Sequence, residues 1–380
     1  MITDTIGAHS AYSARSETAG AAAELIAQLD AASREDPHCI IFFAALKHDG
    51  ALLGQALQAR FATSHVIGCS SNGEFTSGHW GNGGVAALAL HRDMVGRIAS
   101  AIAMLDGGLQ AGINAAAETL GQQLGVAVHE LDPQRFVGVA LLEGAQGQEE
   151  LLNEALGNIA PLLSFVGGSA GDNITFSGTW VFAEGRLAKN ACALLVLELL
   201  QPFAVLKTCN FVSTPIELTI TKADPSRRLV QELDGKPAAQ RYAEVLGVRV
   251  EELAFPHFLA NPLGLMIEGE PWLRSVFRVD GNDLYFACAV LEGMTLHLMQ
   301  ATDIVENAHS AFDSLALPPS TRPRTALLFN CAYRMLEVQI KGLEEPYHQA
   351  LSSVIHAGLH SNGESYLGHI NQTLTGLVIV

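Results

Sequence analysis

Hydrophobic and polar positions follow one order several times along this chain. A short apolar run is followed by a segment of helical period, a second apolar run, a glycine-rich turn and a third run. Glu17–Ser33 has the helical period and is rich in alanine. Cys39–Leu46 ("CIIFFAAL") is continuous, β-branched and aromatic, as in a buried strand. Gly50–Phe61 predicts a helix, His65–Ser70 a strand, and Gly84–Leu90 a strand beyond the turn. The order returns at Arg135–Glu143, Gln148–Ala160 and Leu163–Asn173, with a hairpin around Glu184-Gly185. It returns again at Thr325–Ala332, Tyr333–Ser353, Val354–Glu364 and Gln372–Val380. Between these, Asp224–Gly247 reads as two short helices, and Phe255–Gln300 as strands with hairpin signals at Asp280-Gly281-Asn282 and Glu292-Gly293. The chain is thus a degenerate repeat of a βαβ-turn-β unit. The fold class expected is α/β (mixed α+β): layered sheets flanked by helices, with two sheets sandwiched and a pocket at the junction of two regions.

The turns carry the sharpest signal. "GCSSNGEFTSGH" (Gly68–His79) and "GLHSNGESYLGH" (Gly358–His369) are identical at seven of twelve positions, and "GGSAGD" from Gly167 is a weaker echo. Asn-Gly after a strand predicts left-handed backbone, whose successive N–H groups can converge on a bound oxygen. Asn72, Gly73, Glu74, Ser169, Asn362, Gly363 and Glu364 are therefore ligand-binding candidates, around one cleft or two. The plainer alternative is that both glutamates hold loop N–H groups.

Composition narrows the classes. The 380 residues are 49% hydrophobic and 16% charged, enough for a large core and more than one domain. A formal charge of −17 without a basic stripe argues against a nucleic-acid partner. Six widely spaced cysteines without CxxC read as reduced thiols. No signal peptide or run long enough to span a bilayer is present, so a cytoplasmic location is expected and a membrane partner is not.

Several chemistries are weighed and set aside. "GGSAG" around Ser169 matches a nucleophile elbow, but a helix must follow directly, and "DNITFSGTWVF" reads as loop and strand. There is no P-loop, dinucleotide fingerprint, HExxH or CxxCH. Cys331 precedes the helix carrying Arg334, so a helix N-terminus would activate its thiol unless it is a small buried residue. His257 lies in "FPHFLANPLG", where an imidazole among aromatic rings suits the iron of a non-covalent haem. His360 and His369 flank the second turn and are the next candidates.

The segments "VIGCSSNGEF", "FVGGSAGDN", "FPHFLANPLGL", "FNCAYRM" and "HSNGESYLGHINQTLTGLVIV" resemble FIST proteins, bacterial intracellular signal-transduction sensors, from about residue 35 to the end. The resemblance implies an N-terminal segment and helix at 1–34, a FIST N region with two internal repeats at 35–222, and a FIST C region at 223–380. It implies a non-catalytic sensory role with a small effector. In its nitric-oxide-sensing branch that effector is gas bound by haem b, with His257 holding the iron, and the output passes to a separate histidine kinase or cyclic-di-GMP enzyme. The alternative is an amino-acid-like ligand without haem, with Glu74 or Glu364 meeting a cationic group and Arg334 a carboxylate. Association with further copies of the chain stays open.

Overall fold

The computed structural model describes residues 7–33, 35–143, 147–175 and 178–380. The first unit runs β1 (Ala8–Ser13), α1 (Thr18–Ala32), β2 (Cys39–Ala45), α2 (Gly50–Arg60), β3 (His65–Ser71), a hairpin of β4 (Glu74–Thr76) and β5 (His79–Gly81), then β6 (Val85–Leu90). The second repeats it: β7 (Val95–Met104), α3 (Leu109–Leu124), β8 (Phe136–Leu142), α4 (Glu149–Ile159), β9 (Phe165–Ser169), a hairpin of β10 (Val181–Ala183) and β11 (Arg186–Ala188), then β12 (Ala191–Leu199). The third opens with β13 (Phe203–Thr208) and is interrupted by an insertion. The insertion comprises β14 (Phe211–Asp224), β15 (Leu229–Leu233), β16 (Lys236–Pro237), α5 (Ala238–Leu246), α6 (Phe255–Ala260), β17 (Leu263–Ile267), β18 (Glu270–Arg274), β19 (Val276–Asp280), β20 (Asp283–Phe286) and β21 (Thr295–Ala301). The unit then resumes with α7 (Ile304–His309), β22 (Thr325–Cys331), α8 (Ala332–Lys341), α9 (Glu344–Leu351), β23 (Ile355–Ser361), a hairpin of β24 (Glu364–Tyr366) and β25 (His369–Ile370), and β26 (Leu374–Ile379).

Three sheets share one plan. Each has a parallel pair (β2/β3, β8/β9, β22/β23) and an antiparallel strand beside its first member (β6, β12, β26). Each unit's opening strand then lies outermost on that side (β1, β7, β13). The hairpin closing each sheet comes from a different unit. β4 pairs with β23, β10 with β3, and β24 with β9, so the three units exchange hairpins in a ring. Inner faces of all three sheets meet in one core through Ile41, Phe43, Val139, Val166, Phe329 and Leu359. Outer faces are covered by α1 with α2, α3 with α4, and α7 with α9. Burial on both faces explains the unbroken apolar runs of β2, β8 and β22.

Mixed α+β layering is therefore observed, with three sheets around a shared core where two sandwiched sheets were expected. The insertion forms a fourth sheet, in the order β18-β17-β21-β14-β15-β20-β19 with β16 beside β15, over its own core of Leu218, Val230, Tyr242, Phe258 and Phe286. The division expected at residue 222 falls inside the fourteen-residue strand β14. The two helices expected over Asp224–Gly247 are a 3₁₀ turn, a β15–β16 hairpin and only then α5. Asp234 (φ 53°) and Gly235 (φ 72°) make a tight left-handed turn there, and pairing with β14 overrides the local helical pattern. The N-terminal segment adds a strand, β1, before its helix.

The ring is closed by backbone bonds between the three turns. Asn72 N donates to His360 O (3.0 Å), Gly171 N to Ser70 O (3.0 Å), and Asn362 N to Ser169 O (3.0 Å). Gly171 has no room for a side chain: a Cβ would lie 2.4 Å from Asn72 N. Gly157, exposed in α4, meets nothing within 4 Å. Gly171→Ala is expected to cost about 2 kcal/mol or more in urea unfolding, and Gly157→Ala to gain about 0.5–1 kcal/mol. Equal small effects of the two would show that the turns are not tightly locked.

Candidate functional site

The twin turns meet each other. Asn72 Nδ2 donates to Asn362 Oδ1 (2.8 Å), and Asn72 Oδ1 accepts from Asp172 N and Ile174 N (3.0 Å each). Asn72, Gly73 and Asn362 have no positive φ, contrary to the left-handed turn expected; of the two Asn-Gly pairs only Gly363 has one (φ 155°). Crowding requires the glycines: a Cβ on Gly73 would lie 2.7 Å from His360, and one on Gly363 2.2 Å from His369. The Asn72 and Asn362 N–H groups, expected to help hold a ligand oxygen, are spent on the ring.

Both glutamates are fully buried and face their own loops. Glu74 accepts from Ser71 Oγ and from Gly84 N (2.9 Å). Glu364 accepts from Ser361 Oγ (2.7 Å) and from Thr373 Oγ1 (2.6 Å) and N (3.3 Å). Burial pushes the Glu74 carboxyl up to about 7 and that of Glu364 up to about 8. Arg334 is likewise engaged: its guanidinium donates to Asn330 Oδ1 (3.2 Å), Asn210 Oδ1 (2.8 Å), Asn307 Oδ1 (3.1 Å) and Tyr347 Oη (3.2 Å). Burial, then the Glu364 carboxylate, drives the Cys331 thiol well up, so the α8 N-terminus does not activate it. No helix follows Ser169, as the elbow would need, and its Oγ lies 3.5 Å from Glu149.

The three histidines sit in three different settings. His257 is half-buried on the six-residue α6, and its Nδ1 accepts from Ala254 N (3.2 Å). That bond puts the ring proton on Nε2, the nitrogen an axial ligand would present to iron. His360 is fully buried, its ring stacked on Phe75 (5.0 Å) and against Trp80 (4.6 Å), with no gap for a macrocycle. His369 lies in a strongly charged setting rather than an apolar one. Among the described residues, no group of three or more His, Cys, Asp or Glu is placed to hold a metal.

A different cluster has unspent chemistry. The loop after β8 leads to Glu149 and Glu150 in the first turn of α4. Arg228, held at φ 51° before β15, brings the insertion onto them. Its Nη2 donates to Glu149 Oε2 (2.6 Å), Glu150 Oε2 (2.5 Å) and Gly147 O (3.2 Å), and its Nη1 to Ala287 O (3.0 Å). Ala289 N donates to Glu150 Oε1 (2.5 Å). β25 then lays His369 between α4 and β18. His369 is only 4% exposed, and both ring nitrogens lack a hydrogen-bond partner; Arg274 Nε and Asn371 Oδ1 lack one too. Each such buried atom costs about 1–3 kcal/mol unless a water or ligand satisfies it. Burial outweighs the opposing Glu149 and Glu150 and, with a smaller push from Arg228 and Arg274, holds the imidazole below its usual range. Burial alone would raise the Glu150 carboxyl, but His369, Arg228 and the Ala289 N–H bring it below.

Of this cluster, sequence reasoning named only Ser169 and His369 as site candidates. The adjacent glutamates read as ordinary acidic residues of a helix start, and nothing in the sequence joins Arg228 to a helix start some eighty residues away. An open cleft of about 460 Å³ between the first two units, lined by Gln58, His65, Ser100, Gln123 and Glu184 among others, contains none of the predicted residues.

A FIST N domain model matches residues 38–236, and a FIST C domain model matches residues 238–366. The chain belongs to the FIST family. FIST domains are sensory, ligand-binding domains of signal-transduction proteins. An uncharacterized protein of Methanocaldococcus jannaschii is 30% identical over 194 residues, covering 47% of this chain and 37% of that protein, so this chain spans well under half of that relative's length. In this FIST protein the N and C matches meet inside the insertion, at β16 just before α5. The cluster draws Glu149, Glu150 and Arg228 from the N match and Arg274 from the C match. Among the described residues no helix is long and apolar enough to cross a membrane.

Opposed titrations set the pH dependence of stability. Burial pulls His356 down to about 4 and His360 to about 3, below the unfolded value of 6.5. The unfolded chain therefore binds protons first, and stability falls as pH drops from 6.5 toward 4. Glu74 and Glu364 are raised above 4.5. The folded chain holds their protons longer, and stability falls as pH rises from 4.5 to 7 or 8, at about 1.4 kcal/mol per unit for each group. Between pH 4.5 and 6.5 the two pairs offset each other, so their contribution to the urea midpoint is expected to be level there and to fall on either side. Glu364→Gln should flatten the decline from 6.5 to 8, and an unchanged alkaline limb would refute this assignment.

Proposed function

We propose that this FIST protein takes a small polar effector into the junction between its threefold core and its inserted sheet, and that the change in seating is read by a separate histidine kinase or cyclic-di-GMP enzyme. The observation that supports this is the pair of unpartnered His369 nitrogens beside Arg274 and Asn371, at the contact of three chain segments. A ligand shifts an equilibrium only through different contacts in two states. Here the Arg228 clamp on Glu149 and Glu150 and the Ser275 Oγ–Gln372 Oε1 bond (2.7 Å) hold the insertion on the core. An effector satisfying the buried polar atoms adds contacts that exist only when the junction is closed. The family resemblance suggests an amino-acid-like molecule.

Nitric oxide sensing through haem is the second reading, with the "FPHFLANPLG" segment in its favour. It requires His257 to give up its Ala254 contact and turn Nε2 to iron. Hydrogen exchange with and without a panel of amino acids and organic acids tests the first reading. Binding should slow exchange in β15, β19, β20 and residues 369–372, and protection confined to the opposite face of the core would count against it. Haemin titration tests the second: a Soret band that His257→Ala abolishes supports it, and a colourless protein removes it.

A further inference from the structure

The four unpartnered atoms at the junction constrain the effector's chemistry, given that the effector binds there. Arg274 Nε is a donor, Asn371 Oδ1 an acceptor, and His369 presents two ring nitrogens. A neutral imidazole offers one donor and one acceptor: with its N–H on Asn371 Oδ1, the bare ring nitrogen would still need a ligand donor while Arg274 Nε needs a ligand acceptor. An imidazolium offers two donors. One N–H can then meet Asn371 Oδ1, while the other and Arg274 Nε–H meet the two oxygens of a carboxylate. One carboxylate and one proton satisfy all four atoms.

Charge points the same way. The groups facing His369 are Glu149 and Glu150 from α4, Arg228 from the turn before β15, and Arg274 from β18. Two carboxylates balance two guanidinium groups, so an incoming carboxylate adds a negative charge that only His369 can cancel. An ammonium group finds no free carboxylate, because Glu149 and Glu150 are already taken by Arg228 and Ala289 N. We infer that the junction binds a small carboxylate together with a proton, which His369 takes up.

Calorimetry with sodium acetate and sodium propionate, in two buffers of different ionisation enthalpy at pH 6 and pH 8, tests this. L-alanine and methylammonium chloride serve as the zwitterionic and cationic probes. Uptake of about one proton per acetate is expected, with affinity falling up to tenfold per pH unit. His369→Gln should abolish the uptake and flatten the pH dependence. Arg274→Ala should weaken acetate at least tenfold, and Asn371→Ala gives the same readout where the arginine variant melts early. Acetate binding without proton uptake, or no acetate binding, overturns the inference. If methylammonium binds in place of acetate and Asn371→Ala removes it, the junction remains the effector site and only its carboxylate chemistry fails. If neither variant alters the binding of any probe, the junction reading fails as well.

Discussion

The ring of backbone bonds between the turns at Ser70–Asn72, Ser169–Gly171 and His360–Asn362 is the constraint on which the rest depends. Each unit completes its neighbour's sheet, so no unit closes its own edge. A sheet missing its borrowed hairpin would expose a strand edge, which natural sheets avoid. The ring also explains the composition of the turns. Asparagine at positions 72 and 362 satisfies backbone and side-chain groups of the neighbouring turn, and glycine at 73, 171 and 363 clears space where segments of the chain converge. Ser-Asn-Gly-Glu occurs twice because it is the joint of this ring.

Much of the core was legible in the sequence because its strands are buried on both faces. Unbroken apolar runs place β2, β8 and β22, and the helical periods after them place α2, α4 and the α8–α9 pair within a few residues. Gly342 (φ 64°) divides the last of these where one longer helix was expected. Three things were not legible. The exchange of hairpins leaves no local trace, since a strand's pattern does not name its partner. β7 and α3 fell outside the recurring order. The insertion was read partly as helix because Asp234-Gly235 works as a hairpin turn only once β14 lies alongside.

The site was legible in a narrower sense. Pattern singled out the twin turns, and burial converts their glutamates from ligand contacts into internal supports with raised carboxyl pKa values. Arg334 was expected to await a carboxylate, yet amide oxygens and the Tyr347 hydroxyl occupy it. What remains uncommitted lies one layer away, where His369 follows the turn that attracted attention. Its importance depends on Glu149, Arg228 and Arg274, whose convergence is a property of the tertiary structure. Motif reading found the joint, and packing identifies the open chemistry beside it.

The attachment of the inserted sheet has an evolutionary consequence. Phe211 and Ala301 pair directly, and Thr302 N donates to Asn210 O (2.7 Å), so the fourth sheet leaves and rejoins the core on adjacent strands, like a leaf on one stem. Its length and sequence can drift while the ring behind it keeps its register. What hangs over the junction can therefore change with the scaffold underneath untouched.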